Sequence, residues 1–185
     1  MSMASTFFFE DIDTPTGRMR VVSDDAQRLR AVDWADHETR MLKLLRRHYG
    51  PSAVSLHAIA RRSHAADALA AYFDGQLEAI ADLATETNGT PFQRAVWAAL
   101  RRIPAGRTMS YGALAAAIGQ PNAVRAVGAA NGANPIAVVI PCHRVIGADA
   151  ALTGYGGGLH RKRWLLAHER GAQPLFDQAS PASAR

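Results

Sequence analysis

"NPIAVVIPCHRVIG", residues 134–147, is an apolar run that stops at a proline and then presents Cys142, the only cysteine in 185 residues. The β-branched stretch Ile136–Ile140 reads as a buried strand, so the thiol falls at a strand end, a position that suits a reactive group over a cleft. A lone cysteine is equally a small buried hydrophobe. A free thiol ordinarily titrates near 8.5, so a nucleophilic role needs a base or positive surroundings. His143 offers the base and Arg144 the charge. Neighbouring side chains on an extended chain point opposite ways. Contact between Cys142 and His143 therefore requires a bend after Pro141 or a bridging water.

Downstream, "TGYGGG" (153–158) is a flexible loop rich in backbone N–H groups, and it opens a helix over 159–171. Trp164, Leu165 and His168 mark the packed side. Glu169 lies near the C-terminus, where the helix dipole favours cations. An acid there needs a partner, and a histidine is a reasonable one. Upstream, Thr90 and Pro91 start a helix, the first as cap and the second at the first helical position. Phe92, Val96, Trp97, Leu100 and Ile103 fall on one face of it. Ser110 caps another helix to about Ile118, "GQPN" (119–122) breaks it, and a further helix covers about Ala123–Ala130. Two short helices joined by a tight turn read as helix-turn-helix, or as a plain helical hairpin; spacing separates the two poorly. The last of these helices is smooth. Ala123, Ala126, Gly128, Ala129 and Ala130 carry little bulk, which fits close approach to another surface or tight helix packing. Arg125 is its one long charged side chain.

The first part of the chain predicts strands at Phe7–Ile12, Arg18–Val22 and Leu29–Trp34, then helices over 37–50 and about 64–73. Nothing in it has a catalytic pattern. The composition, 48% hydrophobic and 20% charged, is that of a globule with a sizeable core. No run approaches the roughly 20 apolar residues of a membrane span. The N-terminal "MSMASTFFFEDID" lacks a basic lead and is not a signal peptide. A single cysteine excludes an internal disulfide and a cysteine-rich zinc site, and it fits a reducing cytoplasm. The net charge of +5 is uneven: residues 91–170 hold ten Lys and Arg against two Asp and Glu, a net of +8, whereas residues 1–90 carry −3. Such a half points to a polyanion, nucleic acid first, or to a solvated basic surface.

"IPCHRVIG", preceded by "RAVGAANGANP" and followed by "TGYGGG" and "RKRWLLAHE", resembles the methylated-DNA–protein-cysteine methyltransferases, in their stand-alone bacterial form. The resemblance covers about 91–170 strongly; "TPTG", "LRAVDW" and "YFDGQL" match more loosely. It implies that Cys142 accepts an alkyl group from O6-alkylguanine, and more slowly from O4-alkylthymine, in DNA. It matches His143 to the histidine that activates the thiol through a water, Glu169 to the glutamate that holds this histidine, and Asn134 to the asparagine that braces the active-site turn. Tyr111 matches the tyrosine that donates to the departing guanine. The base pocket would comprise the backbone of Cys142 and Val145 and the loop at Tyr155, Gly156 and Gly157. Gly156 stands where some relatives carry serine, which would leave the pocket roomier.

By the same resemblance the smooth helix, through Ala123, Ala126, Gly128 and Ala129, enters the minor groove of double-stranded DNA. Arg125 fills the stack where the target nucleotide is flipped out, and Arg144 is expected among the DNA contacts. The reaction leaves a thioether, so each chain acts once. No cofactor and no metal are implied, since the zinc site of some relatives would need further cysteines. The expected fold is α+β. Residues 1–88 form a small α/β domain with a short antiparallel sheet, ribonuclease H-like by resemblance. Residues 89–171 form a mainly helical domain with a winged-helix-like helix-turn-helix, and 172–185 a disordered tail. The expected state is a monomer, with cooperativity on DNA left open. A non-catalytic helix-turn-helix regulator or lesion-sensing protein would explain the charge but would not require Cys142, His143 and Glu169 together. A redox sensor would lack its resolving cysteine.

Overall fold

The structure, a computed structural model, describes residues 5–50 and 54–171; the stretch 172–185, expected to be disordered, lies outside them. Strands β1 (Ser5–Ile12), β2 (Met19–Ser23) and β3 (Leu29–Trp34) form an antiparallel meander. Helix α1 (Glu38–Tyr49) then carries the chain back to β4 (Val54–Ala58), which pairs parallel to β1 and gives the order β3-β2-β1-β4. The sheet is thus mixed, where a purely antiparallel one was expected. The fourth strand was missed because "VSLHA" is short and only partly buried, so it carries little alternation.

One face of the sheet packs on α1 through Phe7, Val22, Ala31, Met41 and Leu45. The other face, with Val21, Val32 and Trp34, opens onto a larger core shared with α2 (His64–Phe73) and with the helices that follow. Burial of each such large side chain contributes about 1.5–3 kcal/mol. All six residues of β3 are buried, as a strand covered on both faces must be.

Helix α3 (Pro91–Leu100) starts on a complete capping box: the Thr90 hydroxyl accepts from Gln93 N, and the Gln93 side chain accepts from Thr90 N. It buries Val96, Trp97 and Leu100, with Ile103 just beyond. Ser110 caps α4 (Tyr111–Ala117), and α5 (Val124–Gly132) follows the break. The Trp97 indole donates to the Ala130 carbonyl at 2.9 Å, tying α3 to α5. Helix α6 (Leu159–Glu169) closes the described chain.

The run 134–140 is not a strand. It touches the edge of the sheet only at Val32, whose N–H donates to Pro135 O at 3.0 Å and whose carbonyl accepts from Ala137 N at 2.8 Å. Beyond that it coils, with Val138 at φ +70°. The cause is the side chain of Asn134, which accepts from Ile136 N at 2.9 Å and donates to Ile140 O at 2.8 Å, folding the apolar residues around itself. Asn is one of the residues whose side chain competes with the backbone for such bonds. A β-branched run signals burial, and here burial is achieved by a knot of turns. After it, β6 (Val145–Ile146) pairs parallel with β5 (Met109–Ser110), so the segment behind Cys142 is anchored beside the start of α4.

Candidate active site

Cys142 opens a single 3-10 turn, Cys142–Arg144, and all three residues are buried. This turn supplies the bend after Pro141 that an extended chain would lack. The thiol sulfur receives a hydrogen bond from Asn134 Nδ2 at 3.1 Å, and the Cys142 carbonyl receives one from Asn131 Nδ2 at 3.4 Å. Asn134 therefore braces the turn and touches the thiol sulfur with the same amide.

His143 and Arg144 both turn toward Glu169. The His143 Nε2 to Glu169 Oε1 distance is 2.8 Å. Arg144 donates through Nη2 to Oε1 at 2.8 Å and through Nε to Oε2 at 3.0 Å, while its Nη1 donates to the Ile103 carbonyl at 2.5 Å. Two further donors reach the same carboxylate: the Tyr72 hydroxyl at 2.7 Å and the Gly106 N–H at 3.2 Å. Burial opposes the charge on Glu169, but the His143 and Arg144 hydrogen bonds outweigh it and hold the carboxyl well below the usual carboxylate range. An ionised carboxylate only accepts, so His143 Nε2 carries the proton. Nδ1 is then a bare lone pair, buried and without a hydrogen-bond partner among the described residues. Burial also pushes His143 down, helped by the charges of Arg144 and Lys162, so the ring is neutral at rest.

The thiol is likewise neutral at rest. Burial pushes Cys142 up, offset only in part by the Asn134 N–H and the charges of Arg40 and Lys162. The site does not hold a preformed thiolate. It holds a buried, protonated thiol next in sequence to a residue whose free imidazole nitrogen is fixed as an acceptor.

The cleft over Cys142 is lined by Asn134, Tyr155, Gly156 and Gly157 from the expected set, and by Asp33 and Arg40 from the first part of the chain. Arg40 pairs with Asp33 at 2.5 Å and donates to the carbonyls of Gly132 and Asn134 at 2.8 and 3.3 Å. A Cβ on Gly156 would fall 2.6 Å from its guanidinium, so the room left by the missing side chain is filled by Arg40. A Cβ on Gly157 would fall 2.3 Å from the Trp34 ring, which explains glycine there. The Val145 carbonyl, expected to meet the base, accepts from the fully buried Lys162 ammonium at 2.6 Å. Tyr111 sits half-buried at the start of α4, where its hydroxyl accepts from Thr153 of the glycine loop at 3.1 Å.

Residues 91–171 match the family model described as the 6-O-methylguanine DNA methyltransferase DNA-binding domain. Over 160 residues, 86% of this chain and 94% of the relative, the sequence is 54% identical to the methylated-DNA–protein-cysteine methyltransferase of Salmonella typhimurium. The chain belongs to the methylated-DNA–protein-cysteine methyltransferase family. A Mycobacterium tuberculosis member is 56% identical over 119 residues, 62% of this chain and 72% of that one. The crystal structure of M. tuberculosis OGT in complex with DNA superposes with a TM-score of 0.72 at 40% identity, covering 91% of this chain and 95% of that one.

Within this family frame, the helix α5 surface is as smooth as its sequence. Arg125, Ala126 and Ala129 are exposed, and Ala123 and Gly128 are half-buried. A Cβ on Gly128 would meet the Tyr111 ring at an ordinary 3.8 Å, so close helix packing does not require glycine there. Arg144 requires correction: it is buried and committed to Glu169 and Ile103, not presented to DNA. Arg161 and Lys162 are internal as well, so three of the ten cations in the basic half hold the fold together. Tyr72 and Arg40 were missed because nothing local marks them; both act across about ninety residues of chain. Glu169 did carry a signal, an acid at a helix end, and it has three side-chain partners where one was sought.

Proposed function

We propose that this chain is a DNA repair protein that moves an alkyl group from O6-alkylguanine, and more slowly from O4-alkylthymine, onto Cys142, once per molecule. The observation that carries this is the buried Cys142 turn, with Asn134 on its sulfur and His143 held by Glu169 with Nδ1 open. A water on Nδ1 relays the thiol proton to His143 as the sulfur attacks the alkyl carbon. The carbon–oxygen bond breaks, its electron pair leaves on guanine O6, and Tyr111 supplies the proton that neutralises it. A thiol that is neutral at rest makes this proton removal part of the displacement and not a prior step. The thioether product is a poor leaving group, and no second cysteine exists to release it.

The relay predicts that Glu169→Gln slows transfer by about 10²-fold, the lower end of what a positioned base contributes. Duplex affinity should stay near native, since Glu169 is buried away from the α5 surface. An unchanged pH–rate profile would remove Glu169 from the mechanism.

For DNA, the reading is a monomer that lays α5 in the minor groove, with Arg125 replacing the extruded nucleotide. The exposed Ala126 and Ala129 beside Arg125 support it, as does the basic balance of residues 91–170. A ribonuclease H-like first part (1–88) and a winged-helix-like second part (89–171) are the finer fold readings. The helix crossing a mixed sheet supports the first, and the β5–β6 ladder beside α4 and α5 the second. A thiol that must stay reduced favours the cytoplasm.

The test separates extrusion from chemistry. Unstacking a nucleotide costs a few kcal/mol. Arg125→Ala should react at least about tenfold more slowly with O6-methylguanine in duplex DNA, yet nearly normally with free O6-benzylguanine, all at one salt concentration. The deficit should shrink on single-stranded DNA. Equal losses on free base and duplex would end the extrusion role.

A further inference from the structure

Tyr72 lies on α2, in the part of the sequence without any catalytic pattern, and is fully buried. Its ring is held edge-on against Phe73 and His168 at 5.3 and 5.4 Å, and His168 Nε2 lies 2.8 Å from the Tyr72 carbonyl. This locks the hydroxyl on Glu169 Oε1 at 2.7 Å, the same oxygen that serves His143 at 2.8 Å. We propose that Tyr72 is a positioning residue for alkyl transfer: its hydroxyl fixes the rotamer of the Glu169 carboxylate and, by drawing charge from Oε1, sets how readily His143 takes a proton.

The physical argument is a competition for one oxygen. A carboxylate oxygen has two lone-pair directions in its plane, and Oε1 is shared by His143, Tyr72 and Arg144. Each donor withdraws negative charge that would otherwise stabilise an imidazolium. The charged and titratable groups around the pair are Arg144 and Lys162, which disfavour a charged His143, the Glu169 carboxylate, which favours it, and Cys142 itself. Tyr72 joins this set as a neutral donor, because burial and the Glu169 charge both keep its phenol protonated. Its strength as a donor can therefore be changed without changing the formal charge of the site.

The proposal rests on the relay reading of His143 and Glu169, and the measurements separate the two. Tyr72→Phe keeps the ring and its packing but removes the donor. Ring-nitrogen NMR of His143 in the full chain, without substrate, should show its titration moving up by about half to one unit. The acid limb of transfer to free O6-benzylguanine should move up with it, giving a loss of about three- to tenfold on that limb and a smaller one on the plateau. Incorporating 3-fluorotyrosine at position 72, a stronger donor of the same shape, should move both in the opposite direction. An unshifted His143 titration in both proteins overturns the proposal and leaves Tyr72 as packing alone. A shifted titration with an unshifted rate profile sustains the coupling and instead sinks the relay.

Discussion

A chain carrying Cys142→Ser takes up no alkyl mass from O6-methylguanine DNA, while the native chain gains one CH₂ and stops. The expectation rests on two facts: Cys142 is the only thiol, and its sulfur is the atom that Asn134 engages. A serine hydroxyl ionises far above any thiol and is a much weaker nucleophile toward a saturated alkyl carbon, so the same surroundings should not carry the displacement. The substitution should be nearly silent in stability, because the hydroxyl can accept from Asn134 as the sulfur does and the volume change is small. Duplex binding should also persist, since Cys142 lies behind the α5 surface. Intact-mass measurement against time, beside a thermal melt, checks all three. Alkyl mass on any other residue of the native chain would overturn the assignment, and so would a second equivalent taken up after Cys142 is saturated.

What the sequence made legible follows how local each signal was. Thr90–Gln93 and Ser110 are contained within four residues, and both caps formed as expected. The helices α1, α2 and α6 have apolar spacing strong enough to fix them within a residue or two, whereas α3 stops at Leu100, three residues short of Ile103, which was counted on its face. The run Ile136–Ile140 misled because apolar β-branched residues report burial, not the φ and ψ of a strand. The deciding residue was Asn134, whose side-chain bonds compete with a ladder. The pairing of β4 with β1 depends on how α1 crosses the sheet, and no pattern within "VSLHA" encodes that.

Of the candidate site residues, the structure sets Asn134 against the Cys142 sulfur and His143 against Glu169. Arg40, Tyr72 and Lys162 were not among the candidates, because each reaches this cluster through the tip of a long side chain delivered from a different element. Their signal in sequence would have been a long polar side chain on an apolar face. Tyr72, in "LAAYF", fits that description, yet a tyrosine there reads equally as core.

Arg144→Ala should be strongly destabilising. Read from sequence, Arg144 was a DNA contact, and its loss would then weaken binding and flatten the salt dependence while leaving the melt alone. The structure reverses both expectations. Its guanidinium is buried, pairs with Glu169 at 2.8–3.2 Å and satisfies the Ile103 carbonyl. Removing one partner of such a pair typically costs about 3–5 kcal/mol, because the other charge stays buried. Here Glu169 would keep His143, Tyr72 and Gly106, which favours the lower end. In a chain of this size about 3 kcal/mol corresponds to a fall in melting temperature of roughly 6–12 °C. Arg144→Lys should recover little, since an ammonium cannot reach Glu169 and Ile103 together in the planar geometry seen here. The double change Arg144→Met with Glu169→Gln should cost less than the sum of the two, because it removes both charges. Affinity for undamaged duplex, measured below the melt, should change by less than about threefold. A native melting temperature together with weakened, less salt-dependent DNA binding would return Arg144 to the surface and undo the buried pair.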